Sequence, residues 1–122
     1  MGISFAESVI MEALWKQSPM TAEEIAALVA DDQEWTEATV RTLINRLLKK
    51  KAIAAKKDGR RYLYRPIIKR ADWVHEESQG LLDRMFDGRL APLVTHFSQR
   101  KKLSAQDIAE LKRLVSELDD GK

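Results

Sequence analysis

The fold is decided by residues 34–64, which read EWTEATVRTLINRLLKKKAIAAKKDGRRYLY. The first half predicts an amphipathic helix after the N-cap residue Thr36, because apolar side chains recur there every three or four positions. The second half predicts a β-hairpin, because Asp58-Gly59 is a two-residue turn signal between two short strand-like segments. The apolar stripe of the helix consists of Val40, Leu43, Ile44, Leu47 and Leu48.

The opposite face of this helix carries short hydrogen-bonding side chains near its start and cations toward its end. Such a face suits the major groove of DNA, since arginine pairs with guanine and asparagine with adenine through two hydrogen bonds each. Taken alone, the pattern fits an ordinary amphipathic helix with a solvated outer face equally well. The face holds Ala38, Thr42, Asn45, Arg46 and Lys49, flanked by Thr39 and Arg41.

The hairpin is the second basic element of this stretch. With Asp58-Gly59 as a two-residue loop, Lys57 faces Arg60 and Lys56 faces Arg61. Like charges directly opposite one another destabilise a sheet. A hairpin whose tip rests on phosphates would tolerate this pairing, so the predicted register favours contact with nucleic acid.

Helices are predicted on both sides of the stretch. Two precede it and begin at capping boxes, Ser4 with Glu7 and Thr21 with Glu24. Two apolar segments at helical spacing follow the hairpin, and a last helix begins at Ser104, with Gly121 beyond its end.

Three helices followed by a basic two-stranded ribbon form a winged helix-turn-helix, in which the third helix reads DNA and the ribbon tip is the wing. Tyr62 and Tyr64 share one face of the ribbon and are expected to pack it onto the helices. The predicted fold class is therefore mainly α with a small β-hairpin. Residues 1–68 are expected to form the winged-helix DNA-binding domain and residues 69–122 a C-terminal helical dimerisation region.

The charge distribution supports a polyanionic partner. The whole chain carries a net charge of +2, but residues 36–70 contain twelve basic and two acidic side chains, a net charge of +10. A block of this kind is either a solvated basic face or a binding surface for a polyanion.

Composition excludes several classes of site. The chain has 122 residues and no cysteine, which rules out disulfides, thiolate metal sites and cysteine nucleophiles. His75 lies at helical spacing from Asp72, Glu76 and Gln79, but two helical ligands without a third are weak evidence for a metal, and we interpret this face as solvated. No serine lies in a glycine elbow, and there is no glycine-rich phosphate loop. We predict no enzymatic activity, no metal and no cofactor.

No apolar run approaches the roughly 20 residues that span a bilayer. The first residues, MGISFAESVIMEALW, lack a basic segment, and acidic side chains interrupt their apolar stretch, so they do not resemble a signal peptide. We expect a cytoplasmic protein that does not insert into membranes.

The chain resembles the penicillinase repressor family, which includes BlaI, MecI and the copper-responsive CopY branch. The matching segments are AESVIMEALW, EWTEATVRTLINRLLKKKAI, KKDGRRYLY and LSAQDIAELKRLVSEL. The resemblance implies a homodimeric repressor that binds a palindromic operator in double-stranded DNA and controls β-lactamase or penicillin-binding-protein genes together with its own operon. The CopY branch carries a C-terminal cysteine cluster, which this chain lacks.

Two sets of site residues follow from the residues and the resemblance together. The residues alone leave open whether the second set packs within the monomer, on the winged helix or on a second chain, and the behaviour of the family favours a dimer. The DNA-binding set is Thr36, Ala38, Thr39, Arg41, Thr42, Asn45, Arg46, Lys49, Lys50, Lys56, Lys57, Arg60 and Arg61. The dimerisation set is Leu81, Leu82, Met85, Phe86, Leu90, Leu93, Val94, Phe97, Ile108, Leu111, Leu114, Val115 and Leu118.

The chain departs from the family at two positions. The resemblance implies release by proteolysis within the dimerisation region, triggered by a membrane sensor-protease pathway. The family's cleaved bond is Asn-Phe, and the matching bond here is His96-Phe97. The family carries glycine as a left-handed cap after the reading helix. Lys51 stands there in this chain, so either lysine adopts that conformation at a cost of about 1 kcal/mol or the helix ends differently.

The sequence leaves two other functions open. A protein-interaction adaptor would use the basic block to dock an acidic partner. A small hydrolase or metal enzyme is the third alternative, and metal analysis of the purified protein would distinguish it.

Overall fold

The computed structural model describes residues 2–120, so Gly121 lies outside the described part of the chain. Within it the order of elements confirms the predicted fold class, with three helices, a two-stranded antiparallel hairpin and three further helices. The elements are α1 (Phe5–Lys16), α2 (Ala22–Val29), α3 (Glu37–Lys49), β1 (Ile53–Asp58), β2 (Arg61–Pro66), α4 (Arg70–Met85), α5 (Leu90–Gln99) and α6 (Ala105–Asp120).

The helices begin where the capping chemistry predicts. The Ser4 hydroxyl accepts a hydrogen bond from the Glu7 backbone at 3.1 Å, and the Glu7 carboxylate accepts one from the Ser4 backbone at 2.8 Å. Thr21 and Glu24 form the same reciprocal pair at the start of α2. These caps satisfy backbone N–H groups that have no partner within the helix. Thr36 and Ser104 cap α3 and α6.

The core lies between α1, α2, α3 and the base of the hairpin. The apolar stripe of α3 faces it, and four of its five residues are buried, Leu48 being partly buried. The backbones of Met20 and Tyr64 exchange hydrogen bonds of 3.1 and 2.8 Å, so the segment before α2 lies beside β2. This bridge attaches the hairpin to the helices.

The register of the hairpin differs from the predicted one. Asp58 pairs with Arg61, so the turn is Gly59-Arg60 and not Asp58-Gly59. Gly59 has φ of 65°, and Arg60 is not among the residues of positive φ. Positive φ at the first turn position alone is the requirement of a type II′ turn, where glycine is preferred.

The predicted opposition of Lys57 with Arg60 and of Lys56 with Arg61 is therefore wrong. Lys57 pairs with Tyr62 and Lys56 with Leu63. The physical reason is the repulsion noted above, because this register removes the like-charge pairs and brings Arg61 within 3.4 Å of the Asp58 carboxylate. A shift of two residues keeps the same side chains on each face.

Only one of the two tyrosines packs as expected. Tyr64 is buried in the core, whereas Tyr62 is 49% exposed near the tip of the hairpin. Tyr62 is therefore only half covered and is not part of the core that holds the hairpin onto the helices.

Helix α3 ends in a left-handed cap in spite of its lysine. Lys51 has φ of 61° and donates to the Leu48 carbonyl, and Ala52 donates to the Leu47 carbonyl, both at 3.0 Å. These two bonds form the Schellman motif, which normally employs glycine. Lysine thus takes the strained conformation, at a cost of about 1 kcal/mol.

The first turn of α4 is fastened to α1. Arg70 donates two hydrogen bonds to the Glu12 carboxylate, at 2.7 and 3.1 Å. The rings of Trp15 and Trp73 lie 5.4 Å apart, and the Trp15 indole N–H donates to the Ile68 carbonyl at 2.9 Å. These contacts all lie within residues 1–74.

The chain divides into two compact units. The N-terminal unit is Met1–Val74 and the C-terminal unit is His75–Lys122. All the buried apolar side chains among the described residues belong to the N-terminal unit, and α4, α5 and α6 contain no buried residue. No helix among residues 2–120 is both long and apolar enough to cross a membrane.

Candidate nucleic-acid interface

The outer face of α3 is solvent-exposed along its whole length. Thr42 Oγ1 donates to the Ala38 carbonyl at 3.0 Å, so this hydroxyl already has a partner within the helix. Asn45, Arg46 and Lys49 form no hydrogen bond or ion pair with another described side chain. These three polar side chains are therefore free to bind a ligand that approaches the helix from outside.

The threonines at the start of α3 serve its cap. Thr36 Oγ1 accepts from the Thr39 backbone, and the two hydroxyl oxygens lie 3.2 Å apart. Both residues are exposed. Their first role is thus structural, and they also present hydroxyl groups at the positively polarised end of the helix.

Arg41 points toward α2. Its Nε donates to Glu37 Oε2 at 3.2 Å, and its Nη2 lies 4.0 Å from Glu23 Oε1. Its guanidinium group is therefore held at the edge of α3 that faces α2, by two acids from different helices.

Lys50 differs from the other predicted DNA-binding residues because its ammonium group pairs with a buried carboxylate. Its Nζ donates to Glu7 Oε1 at 2.5 Å and to the Gly2 carbonyl at 2.7 Å. Glu7 is only 1% exposed. Lys50 thus neutralises a buried carboxylate of α1.

The charge of Glu7 is stabilised by this pairing. Burial alone raises the pKa of the Glu7 carboxyl, but hydrogen bonds from Lys50 and from Ser4 outweigh burial and leave the pKa below 4.5. A carboxyl with a lowered pKa stabilises the folded chain above its unfolded pKa and loses that effect as the pH falls through its folded pKa.

The wing presents four cations to solvent. Lys56, Lys57, Arg60 and Arg61 are all exposed. Arg61 pairs with Asp58, and the other three have no partner among the described residues. The wing and the outer face of α3 therefore provide the cationic surface that the charge block predicts.

The C-terminal helices expose apolar surface instead. Eight of the thirteen predicted dimerisation residues are exposed, among them Met85, Leu90 and Leu118. Two apolar grooves of 560 and 280 Å³ flank Leu111. The His96 ring lies edge-on to Phe97 at 5.2 Å and 6.3 Å from Phe86.

The described residues contain no group of three or more His, Cys, Asp or Glu side chains that would hold a metal ion. His75 is exposed on α4.

Comparison with known proteins identifies the family. Residues 3–117 match the model of the penicillinase repressor family. The penicillinase repressor of Bacillus licheniformis is 32% identical over 115 residues, which cover 94% of this chain and 90% of that protein. The methicillin resistance regulatory protein MecI of Mammaliicoccus sciuri is 30% identical over 114 residues, which cover 93% of each protein.

A solved structure resembles part of the chain. It is that of the Bacillus licheniformis BlaI monomeric form in complex with the blaP half-operator, with 33% identity and a TM-score of 0.52. The match covers 59% of this chain and 88% of that one. The resemblance inferred from the sequence is thereby confirmed, and this chain belongs to the penicillinase repressor family, whose members are DNA-binding transcriptional repressors and not enzymes.

Proposed function

We propose that this chain is a homodimeric repressor that binds a palindromic operator and controls genes of β-lactam resistance together with its own operon. The observation that carries the proposal is the exposed outer face of α3, with Asn45, Arg46 and Lys49 unpartnered beside a cationic wing. Relatives named penicillinase repressor and MecI support the class of regulated gene. DNA as the partner implies a cytoplasmic location.

The two basic elements have different roles in this proposal. Arg46 and Asn45 read base edges in the major groove, because each can make two hydrogen bonds to one base. Lys56, Lys57 and Arg60 of the wing contact phosphates, which supply affinity without sequence preference. Thr36 and Thr39 sit at the helix start, where backbone N–H groups also favour a phosphate.

The dimer is proposed from the exposed apolar side chains of the C-terminal unit. The grooves beside Leu111 are lined mainly by side chains from α5 and α6. A second copy would cover them from both sides of a two-fold axis and would present two copies of α3 to one palindrome.

Release by an inducing signal is the last part of the proposal. Proteolysis within the dimerisation region would separate the two reading helices and lower affinity for the palindrome. The proposed bond is His96-Phe97, where both side chains are exposed. Because this bond lies within α5, cleavage requires local opening of the helix.

The test is a fluorescence-anisotropy titration of the full chain with DNA from upstream of its own gene, beside a scrambled duplex, at two salt concentrations. We expect tight, salt-dependent binding to one palindrome with two chains per site. Arg46→Ala is expected to lose about 10-fold or more on the operator and little on the scrambled duplex.

Equal and weak binding to every duplex tried would contradict the repressor proposal. In that case an acidic protein partner for the basic block becomes the better explanation. A loss of equal size on both duplexes for Arg46→Ala would make Arg46 a phosphate contact and not a base reader.

A further inference from the structure

A small pocket lies between the start of α2, the edge of α3 and the wing. Its volume is about 130 Å³. A water molecule occupies about 30 Å³ in the liquid, so the pocket has room for a few waters or one phosphate-sized group. We call it the arginine pocket, and its lining includes Thr21, Glu23, Arg41, Arg60, Arg61 and Tyr62.

The walls of the arginine pocket are held by backbone contacts. The reciprocal hydrogen bonds between Met20 and Tyr64 fix the segment before α2 against β2. The Thr21 capping box fixes the first turn of α2. Tyr64, which is 8% exposed, also lines the pocket. The backbone frame of the pocket is therefore in place before any ligand arrives, which lowers the entropic cost of binding.

The charges of the pocket favour an anion. The residues that line it include three arginines, from α3 and the wing, and a single acidic residue, Glu23. Arg60 has no hydrogen bond or ion pair with another described residue. Arg41 and Arg61 are held by exposed acids, at 3.2 Å from Glu37 and 3.4 Å from Asp58. Exposed ion pairs of this kind contribute little and exchange readily for a stronger partner.

A phosphate group is the anion that this arrangement suits best. The planar fork of arginine matches phosphate oxygens with two parallel hydrogen bonds. Arg41 also differs from Arg46, because its contacts direct it to α2 and not along the outer face of α3.

We propose that the arginine pocket binds one phosphate group, with Arg41, Arg60 and Arg61 as its ligands and Glu23 as the counter-charge that the phosphate displaces. Arg41 is then a phosphate ligand although it belongs to the reading helix. The phosphate comes either from the DNA backbone, which rests on the proposed function, or from free inorganic phosphate.

The backbone source is tested by neutralising operator phosphates one at a time as methylphosphonates and measuring binding of the full chain. We expect one position in each half-site where the wild type loses about 10-fold, as for a lost charge-assisted hydrogen bond. For the Arg60→Ala variant, the methylphosphonate at that same position should lower the affinity by less than about twofold, because this variant no longer contacts the phosphate. If the loss caused by the methylphosphonate and the loss caused by Arg60→Ala multiply at every position tested, the assignment to a backbone phosphate is overturned.

Binding of free inorganic phosphate is tested by NMR. The labelled protein is titrated with phosphate, the arginine side-chain Nε–Hε signals are followed, and chloride at equal ionic strength is the control. Saturable shifts that disappear in Arg60→Ala support the pocket as a phosphate site. The proposal is overturned if the Nε–Hε shifts do not saturate with phosphate and the losses from the methylphosphonates and from Arg60→Ala also multiply at every operator position. Since this titration needs no DNA, it remains informative if operator binding itself fails.

Glu23 provides an independent check with a matched control. Glu23→Gln removes the competing carboxylate and should tighten binding of operator and scrambled DNA by the same factor, about twofold to fivefold. Glu77→Gln removes the same charge from an exposed position in the C-terminal unit and should change neither affinity. Weaker or unchanged binding for Glu23→Gln would count against its role as the displaced counter-charge.

Discussion

The two units of the chain bury apolar surface in different ways. In the N-terminal unit the stripe of α3 faces α1 and α2, and Leu47 is fully buried. In the C-terminal unit the stripes of α5 and α6 are as regular, yet Leu118 remains 72% exposed and no described residue is buried. An apolar stripe predicts that a helix packs against something. Whether the same chain can cover the stripe depends on how many neighbouring helices and strands surround it.

The largest effect is expected from a charge in the C-terminal unit. Leu111→Asp places a carboxylate between the two apolar grooves and should dissociate the proposed dimer. Operator affinity should fall about 100-fold or more, because the two half-sites are then bound separately. Sedimentation measures the dissociation of the dimer, and fluorescence anisotropy measures the loss of operator affinity.

The control for that variant is Gln106→Asp, which adds the same charge at an exposed polar position of α6. It should leave the dimer intact. A Leu111→Asp protein that stays dimeric, or that is monomeric with unchanged operator affinity, would remove the C-terminal unit from the account of DNA binding.

Core truncation sharpens the contrast between the units. Leu47→Ala should lower the free energy of unfolding by about 3 kcal/mol, since it leaves a cavity beside fully buried neighbours. Leu118→Ala should instead have an effect that depends on protein concentration, as expected for a residue covered only in a dimer. Urea denaturation at two protein concentrations distinguishes these results, and a concentration-independent loss for Leu118→Ala would argue against the dimer.

Two adjacent lysines of the N-terminal unit are expected to have different roles, Lys50 in folding stability and Lys49 in DNA binding. Lys50→Met leaves the buried Glu7 carboxylate without its partner and should cost about 2 kcal/mol, a value reduced from that of a fully buried pair because Lys50 is partly exposed. Lys49→Met should change stability by less than about 0.5 kcal/mol but weaken DNA binding. Thermal denaturation and anisotropy of both variants test this, and a folded Lys50→Met protein with weakened DNA binding would mean that Lys50 also contacts DNA, as the sequence predicts.

The Lys50 effect should also depend on pH. Glu7 has a pKa lowered from 4.5, so its contribution is complete above that value and disappears as the pH falls through the lower folded pKa. The stability difference between the wild type and Lys50→Met should therefore shrink below about pH 4.5. A constant difference down to pH 3 would mean that the contacts of Lys50 matter for reasons other than the charge of Glu7.

The smallest effect is expected at the end of α3. Lys51→Gly relieves the left-handed strain and should stabilise the N-terminal unit by about 1 kcal/mol, minus the entropy that glycine adds to the unfolded chain. Lys51→Ala removes the same side chain without relieving the strain and serves as the control. Equal stability of the two variants would show that the strain costs nothing measurable.

The sequence predicted the features that depend on near neighbours. The capping boxes and the α3 stripe involve residues three or four positions apart, and each is found where expected. The hairpin lies where the sequence predicts it, but its register differs from the predicted one, because a glycine of positive φ fits either position of a two-residue turn and the Asp-Gly pair does not decide between them. The partner of Lys50 lies 43 positions away at Glu7, and no local pattern announces such a pair.

The most direct test of the central claim is the mass of the free protein in solution, measured by sedimentation equilibrium. If a second copy completes the C-terminal unit, the protein sediments as a species of twice the 14.0 kDa chain mass and dissociates on dilution. A stable monomer at all concentrations, with α4–α6 protected from hydrogen exchange, would contradict it.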